Sequence, residues 1–250
     1  MKGSAALAAS AAGSSFEVVF VDEEGCRRRE PLSACWGRAF EKVRPVRVFP
    51  SAKDQVNWPG YWWSVTTGRH VGYESWVERD VAMMLDFDRA VIAFSSQPFW
   101  LNWASDNGSR RHVPDFFARL ADGAGVVVDV RPDDQVDAAA AETFAVTAQA
   151  CAEVGWEFRR TGGPPTVLAA NVRWLAGYRH PRCRRSGIAE DLVRAFSEPM
   201  PLLAGARGVG DPIVVLPVLY HLLWRQVLRA DLTGAVLGPR SLVETAEGTG

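Results

Sequence analysis

The alternation of apolar and polar residues is sharpest in residues 112–132, HVPDFFARLADGAGVVVDVRP. Read with a period of two, the stretch predicts two strands joined by a Gly-containing turn at residues 121–125. Val113, Asp115, Phe117 and Arg119 then share a face of the first strand. Val127, Asp129 and Arg131 share a face of the second, and Val126, Val128 and Val130 form the face expected to be buried. Residues 16–21 (FEVVFV), 91–94 and 156–159 (WEFR) predict further strands. Gln97-Pro98 either continues the 91–94 strand or ends it, because proline cannot donate to a ladder. Over residues 73–87 the period lengthens to that of a helix, with Val77, Val81, Met84 and Leu85 on one stripe. Residues 133–154 are Ala-rich and predict a second helix, with Asp133 or Asp134 as N-cap and Gly155 as its stop. The order helix, three strands, helix, strand predicts an α/β domain whose central sheet carries the charged hairpin.

Residues 22–30 read as a charged turn and 33–43 as a short helix. Residues 45–72 are crowded with Trp58, Tyr61, Trp62 and Trp63. Large aromatics are usually buried, so packing is the first reading of them and stacking on bases the second. The Thr-Gly-Gly-Pro-Pro run at 161–165 marks a boundary, after which the texture changes. A short helix at 171–176 is followed by a basic run at 178–185, YRHPRCRR. Arg179, Arg182, Arg184 and Arg185 there suit either phosphate contacts or a solvated loop. Beyond it come a helix at 188–196, an Asp211-Pro212 helix start, and a stripe of Val218, Leu219, Leu222, Leu223 and Val227. With a hairpin expected within 228–243, this module reads as helix-turn-helix or winged-helix-like, an order that serves DNA binding or protein docking. The expected organisation is a disordered tail at 1–15, an α/β domain at 16–165 and a small, mainly helical module at 166–250.

Composition adds mostly exclusions. The 250 residues are 48% hydrophobic and 23% charged, with a formal net charge of −1. No global positive field recruits nucleic acid, so binding to DNA must come from local patches or partner subunits. Cys26, Cys35, Cys151 and Cys183 lack CxxC spacing, which argues against structural zinc and fits a reducing cytoplasm. Residues 1–15 are rich in Ala, Ser and Gly but lack the apolar core of a signal peptide, and no stretch approaches a membrane span.

The charged residues of the hairpin change the picture most. An acid and a base on the opposite face of a Val-rich strand are costly unless something uses or pairs them. Phosphodiester cleavage with Mg2+ needs acidic oxygens for a hard cation, an activated water, and positive charge near the phosphate. Glu78, Asp115, Asp129 and Arg131 supply these types in a helix-then-hairpin order. Each has a plainer reading. Ser75-x-x-Glu78 matches a capping box, Pro114-Asp115 a turn start, and Asp129 with Arg131 a surface ion pair. The joint occurrence on adjacent strands favours a site.

Glu78, then Pro114-Asp115, then Asp129-Val130-Arg131 resembles the PD-(D/E)XK nuclease pattern, with Arg where Lys is expected. The run VERDVAMMLDFDRAVIAFSSQPF at 77–99, followed by VPDFFA and VVVDVRP, resembles the TnsA-like endonuclease subunits of heteromeric transposases. PGYWWSVTTGRHVGYES at 59–75 adds to the likeness, which covers residues 16–160. The resemblance implies a restriction-endonuclease-like core, a mixed central sheet flanked by helices, that cuts DNA at transposon ends with Mg2+, for which Mn2+ can substitute. It implies catalytic roles for Glu78, Asp115, Asp129 and Arg131. Metal ligation falls to Asp115, Asp129 and the Val130 carbonyl, with Glu78 as a further ligand. Implied partners are transposon-end DNA, a TnsB-like DDE transposase and a TnsC-like AAA ATPase, in the bacterial cytoplasm. Arg131 departs from the pattern, since arginine stays charged and is a poor base. A lapsed nuclease serving as an assembly factor, and a helix-turn-helix regulator, are the alternative readings.

Overall fold

The computed structural model describes residues 16–47, 59–105 and 108–246. The tail expected at 1–15 and the aromatic stretch around Trp58 therefore lie partly or wholly outside the described residues. Two four-stranded sheets build the N-terminal half. The first holds β1 (Phe16–Val21), β2 (Arg27–Pro31), β6 (Trp100–Ser105) and β7 (Gly108–His112) in the order β2-β1-β6-β7, all antiparallel. The second holds β5 (Val91–Ser96), β8 (Phe116–Leu120), β9 (Gly125–Val130) and β10 (Glu157–Thr161) in the order β10-β9-β8-β5. Only β9 and β10 run parallel, as their connection through the helix α2 (Ala138–Glu153) requires. A separate hairpin of β3 (Gly60–Trp63) and β4 (His70–Tyr73) precedes the helix α1 (Trp76–Phe87).

The first sheet and one face of the second enclose a shared core in which Phe40 meets Phe20, Phe99 and Trp156 at 5.1, 4.8 and 5.5 Å between ring centroids. Val127 points into that core, whereas Val126 and Val128 point into the layer beneath α1. Both faces of β9 are thus buried, not the one face that alternation suggested. Asp129 is 2% exposed as a consequence.

Several expected elements shift. The charged turn at 22–30 contains β2, and the helix at 33–43 is two short 3-10 turns, Leu32–Ala34 and Phe40–Lys42. The helix expected from 73 begins at Trp76, because β4 runs to Tyr73 and Ser75 is the N-cap. Asp137, not Asp133 or Asp134, caps α2 by accepting from the Ala140 N–H at 2.8 Å, while Gly155 ends it at φ 71°. The chain leaves β5 at Gln97, whose φ of 46° turns it away before Pro98.

The C-terminal module contains α3 (Thr166–Ala176), α4 (Ser186–Ala195), α5 (Leu202–Val209) and α6 (Pro212–Trp224). It also holds a small sheet in the order β11 (Met200–Pro201), β13 (Leu242–Thr245), β12 (Leu228–Ala230). Its core takes in Met83 of α1, and Phe87 packs on Trp224 at 5.1 Å. Asp80 pairs with Arg173 at 2.8 Å. The helix α1 therefore belongs to both halves.

Candidate active site

Three segments meet at the sheet ends below the start of α1. Ser75, in extended backbone, accepts from the Glu78 N–H at 3.2 Å and donates its hydroxyl to Glu78 Oε1 at 2.9 Å. Glu78 Oε2 accepts from the Glu74 N–H at 2.7 Å. Both carboxylate oxygens of Glu78 thus close the first turn, as a capping residue does. Burial pushes its carboxyl up, and the positive charge of Arg47 pulls the other way. Capping and proximity to the site are both true of this side chain.

Asp115 leaves the buried Val113-Pro114 step just before β8 begins. Its main-chain carbonyl accepts from the Gln97 N–H at 2.9 Å, and its Oδ2 accepts from the Val130 N–H at 2.7 Å. Burial holds its carboxyl well above the usual carboxylate range, and the nearby charges of Asp129 and Glu78 push it further. The Val130 N–H opposes this, and the Glu74 charge adds to it. Negative charge is concentrated here beyond what the protein neutralises.

Asp129 lies beside it on β9, between Phe116 to Val128 pairing on one side and the Arg160 register on the other. Its oxygens accept from His112 Nε2 at 2.8 and 3.0 Å, and the Asp115 N–H approaches Oδ1 at 3.4 Å. Behind it is the core. Burial, then the Asp129 charge, push the Cys151 thiol up to about 12.

Arg131 stands apart from this group. It lies one residue past β9, exposed, with Nε donating to the Gln135 carbonyl at 2.9 Å. Its own N–H and carbonyl bond Thr161 and Arg160. The strand ends before the alternation can carry Arg131 onto the Asp129 face. The cation that does reach a site carboxylate, Arg47 acting on Glu78, comes from a residue the sequence did not single out. Arg47 pairs with Glu74 at 3.3 Å, and both Arg47 and Arg111 lie against Trp100. Neither their spacing nor their surroundings in sequence signals this, because Arg47 reaches Glu74 and Trp100 from a distant loop and Arg111 reaches Trp100 across the β6–β7 pair.

Of the four basic candidates in the C-terminal module, Arg179 is bound internally. Its guanidinium donates to the carbonyls of Trp63 and Ala176 and lies 4.2 Å over the Trp62 ring. Arg182, Arg184 and Arg185 are exposed.

Among the described residues, no group of three or more His, Cys, Asp and Glu is gathered so as to hold a metal ion by itself. Two carboxylates with a third at longer range could hold a hard cation only together with water or a substrate phosphate, not as an all-protein cage.

A mixed α/β domain with paired acids beside adjacent strands is consistent with a nuclease-like fold. Residues 88–161 match the family described as TnsA-like endonuclease N terminal, a segment that runs from the start of β5 to the end of β10 and includes Asp115, Asp129 and Arg131. The likeness read from the motifs therefore stands over that segment, a narrower one than the motifs covered, and Glu78 lies upstream of it. No curated protein matches the chain. No described helix is long and apolar enough to cross a membrane.

Proposed function

We propose that this chain is the endonuclease subunit of a heteromeric transposase of the TnsA/TnsB type, hydrolysing a phosphodiester bond at transposon ends. The observation that carries the reading is the Asp115 and Asp129 pair on adjacent strands, inside the segment that matches the endonuclease domain. The donor set fits Mg2+, or Mn2+ in its place, because it is all oxygen and carries mutual repulsion that a cation relieves. Asp115, Asp129 and the Val130 carbonyl would hold the ion, with Glu78 alongside. Bound there, it supplies neutralising charge at the phosphate and a water acidic enough to ionise near neutral pH.

The chain's own residues do the positioning. The Val130 N–H holds Asp115 Oδ2, and Gln97 fixes the Asp115 backbone from the strained end of β5. Arg47, whose charge reaches Glu78, and Arg111, which shares the Trp100 ring with it, would offer positive charge to a DNA phosphate. Arg131 would hold a phosphate once it turns from Gln135, since arginine is a phosphate binder and a poor base. That displaced position is also what favours the second reading, a lapsed nuclease that binds DNA and assembles the transposase.

The order α4-β11-α5-α6-β12-β13, with β11 beside β13, supports a winged-helix-like reading of the C-terminal module. The helix that would enter a groove, α6, reads PIVVLPVLYHLLW and carries no Arg or Lys. We therefore assign the module chiefly to protein docking, with a TnsC-like AAA ATPase as the partner. A TnsB-like DDE transposase would cut the other strand, in the bacterial cytoplasm.

The test is Mg2+- or Mn2+-dependent nicking of a labelled transposon-end duplex by the protein with its DDE partner. Nicking that disappears in Asp115→Ala and persists in Arg131→Lys supports the endonuclease. Nicking that survives Asp115→Ala sinks it. No nicking from wild type but nicking from Arg131→Lys selects the lapsed nuclease.

A further inference from the structure

Asp129 presents a problem that the nuclease motif does not solve. It is a buried carboxylate with Val127 and Cys151 behind it, and the arginine two residues on does not reach it. An isolated ionised carboxylate in such a place is too costly to persist. The one side chain that donates to it among the described residues is His112, through Nε2 to both oxygens at 2.8 and 3.0 Å. A carboxylate only accepts, so Nε2 carries the proton in this pair.

The two residues come from different sheets. His112 is the last residue of β7, an edge of the first sheet, where it pairs with Leu101. Asp129 is an inner position of the second sheet. The chain crosses between them through Val113 and Pro114, both buried, and arrives directly at Asp115. The bond therefore ties the sheets together at the point where Asp115 is delivered.

We propose that His112 is a positioning residue of the metal site: its shared Nε2–H holds the Asp129 carboxylate oriented beside Asp115, leaving the remaining lone pairs of both oxygens to a divalent cation. This deepens the endonuclease reading and rests on it. Hydrogen bonds of this kind behind a ligating carboxylate typically change metal affinity about 10–100-fold when removed. Arg131 cannot replace the donor without leaving Gln135 and reversing its direction from the strand end. Glutamine can, since its amide offers a neutral N–H at similar reach.

The experiment is titration of Mn2+ into the full chain, with the transposon-end duplex present, followed by the electron paramagnetic resonance signal of free Mn2+. Wild type, His112→Ala, His112→Gln and Asp115→Ala are compared, with thermal melts and Mg2+-dependent nicking on the same samples. The expected result is Mn2+ affinity lowered about 10–100-fold in His112→Ala and recovered to within several-fold of wild type in His112→Gln. Unchanged or tighter binding in a folded His112→Ala overturns the role, as does a His112→Gln variant that binds as poorly as the Ala variant. If His112→Ala does not fold, His112→Gln decides alone: near-wild-type affinity supports the donor role and a loss removes it. Wild type that takes up no Mn2+ overturns both this inference and the endonuclease reading. A wild type that binds Mn2+ through His112-supported Asp129 yet never cuts leaves the inference standing and removes only the endonuclease.

Discussion

Asp115 shows how far a functional carboxyl can be out of balance with its fold. Burial and the charges of Asp129 and Glu78 raise its proton affinity, so the folded chain binds more protons than the unfolded chain between the ordinary aspartate value and the raised one. Stability from this group is therefore present at low pH and falls as pH rises through that window. Asp115→Asn removes the charge and keeps an oxygen for the Val130 N–H. In EDTA at neutral pH the variant should melt higher than wild type, by roughly 2–4 °C for a chain of this size. The gap should close as pH falls through the raised value of the folded carboxyl and vanish below the ordinary aspartate value, where folded and unfolded chains both hold the proton. The same variant should not nick. A melting point that drops at neutral pH would mean that Asp115 is stabilising as an anion, and that the crowding of charge has been misread. Sequence alternation found Asp115 and Asp129 because both lie on or beside one hairpin. It misplaced Arg131 because β9 ends at Val130, and a strand's end is set by its neighbours and not by its own residues. His112 and Arg47 escaped it for a related reason: their partners lie across from one sheet or loop to another, and no local period records that.

At the scale of elements, α1 carries two duties on one turn. Ser75 and Glu78 close its N-terminus, and the same Glu78 lies within electrostatic reach of Asp115. The two duties separate under substitution. Ser75→Ala should cost about 1 kcal/mol through the missing cap, and reduce nicking only as far as Glu78 drifts. Glu78→Gln keeps hydrogen-bonding capacity at the helix start and loses the charge, so stability should hold to within about 1 kcal/mol. Nicking should fall at least tenfold if the charge is used, and equal activity in Glu78→Gln would reduce Glu78 to a cap. The elements that the sequence concealed are instructive in the same way. β2 (RRREP) and β7 (GSRRH) hold almost no apolar residue, so no hydrophobic period marks them. Both are edges of the first sheet, where charge discourages further pairing, and their arginines are bonded to Glu17, Asp22 and Glu142. Strands held by register and edge position, not by burial, are invisible to a test of burial.

Across the whole molecule, Asp86 is one of the points on α1 where the halves are joined. Its buried carboxylate accepts from Trp62 Nε1 at 2.9 Å, Ser64 Oγ at 2.7 Å and the N–H groups of Val65 and Thr66 at 3.2 and 2.9 Å. Arg179 comes from the C-terminal module to 4.0 Å of it, over the Trp62 ring and onto the Trp63 carbonyl. The basic run 178–185 is thus divided by the fold into one structural arginine and three exposed ones, a division its sequence gives no hint of. Arg179→Ala should lower the melting temperature, because it leaves the Asp86 charge and the Trp63 carbonyl with one partner fewer, at a cost of about 2–4 kcal/mol for a partly buried pair. DNA affinity per folded molecule should stay the same. Replacing Arg182, Arg184 and Arg185 together by Ala should do the reverse. Melting should not move, and the slope of log affinity against log salt should shrink by about 0.9 for each phosphate that is no longer neutralised. With a net charge of −1, the isolated chain has little else to hold DNA, so the effect should be plainest when the partner proteins are omitted. A salt slope unchanged in the triple variant would place the DNA-binding surface elsewhere, with Arg47 and Arg111 about Trp100 as the next residues to replace.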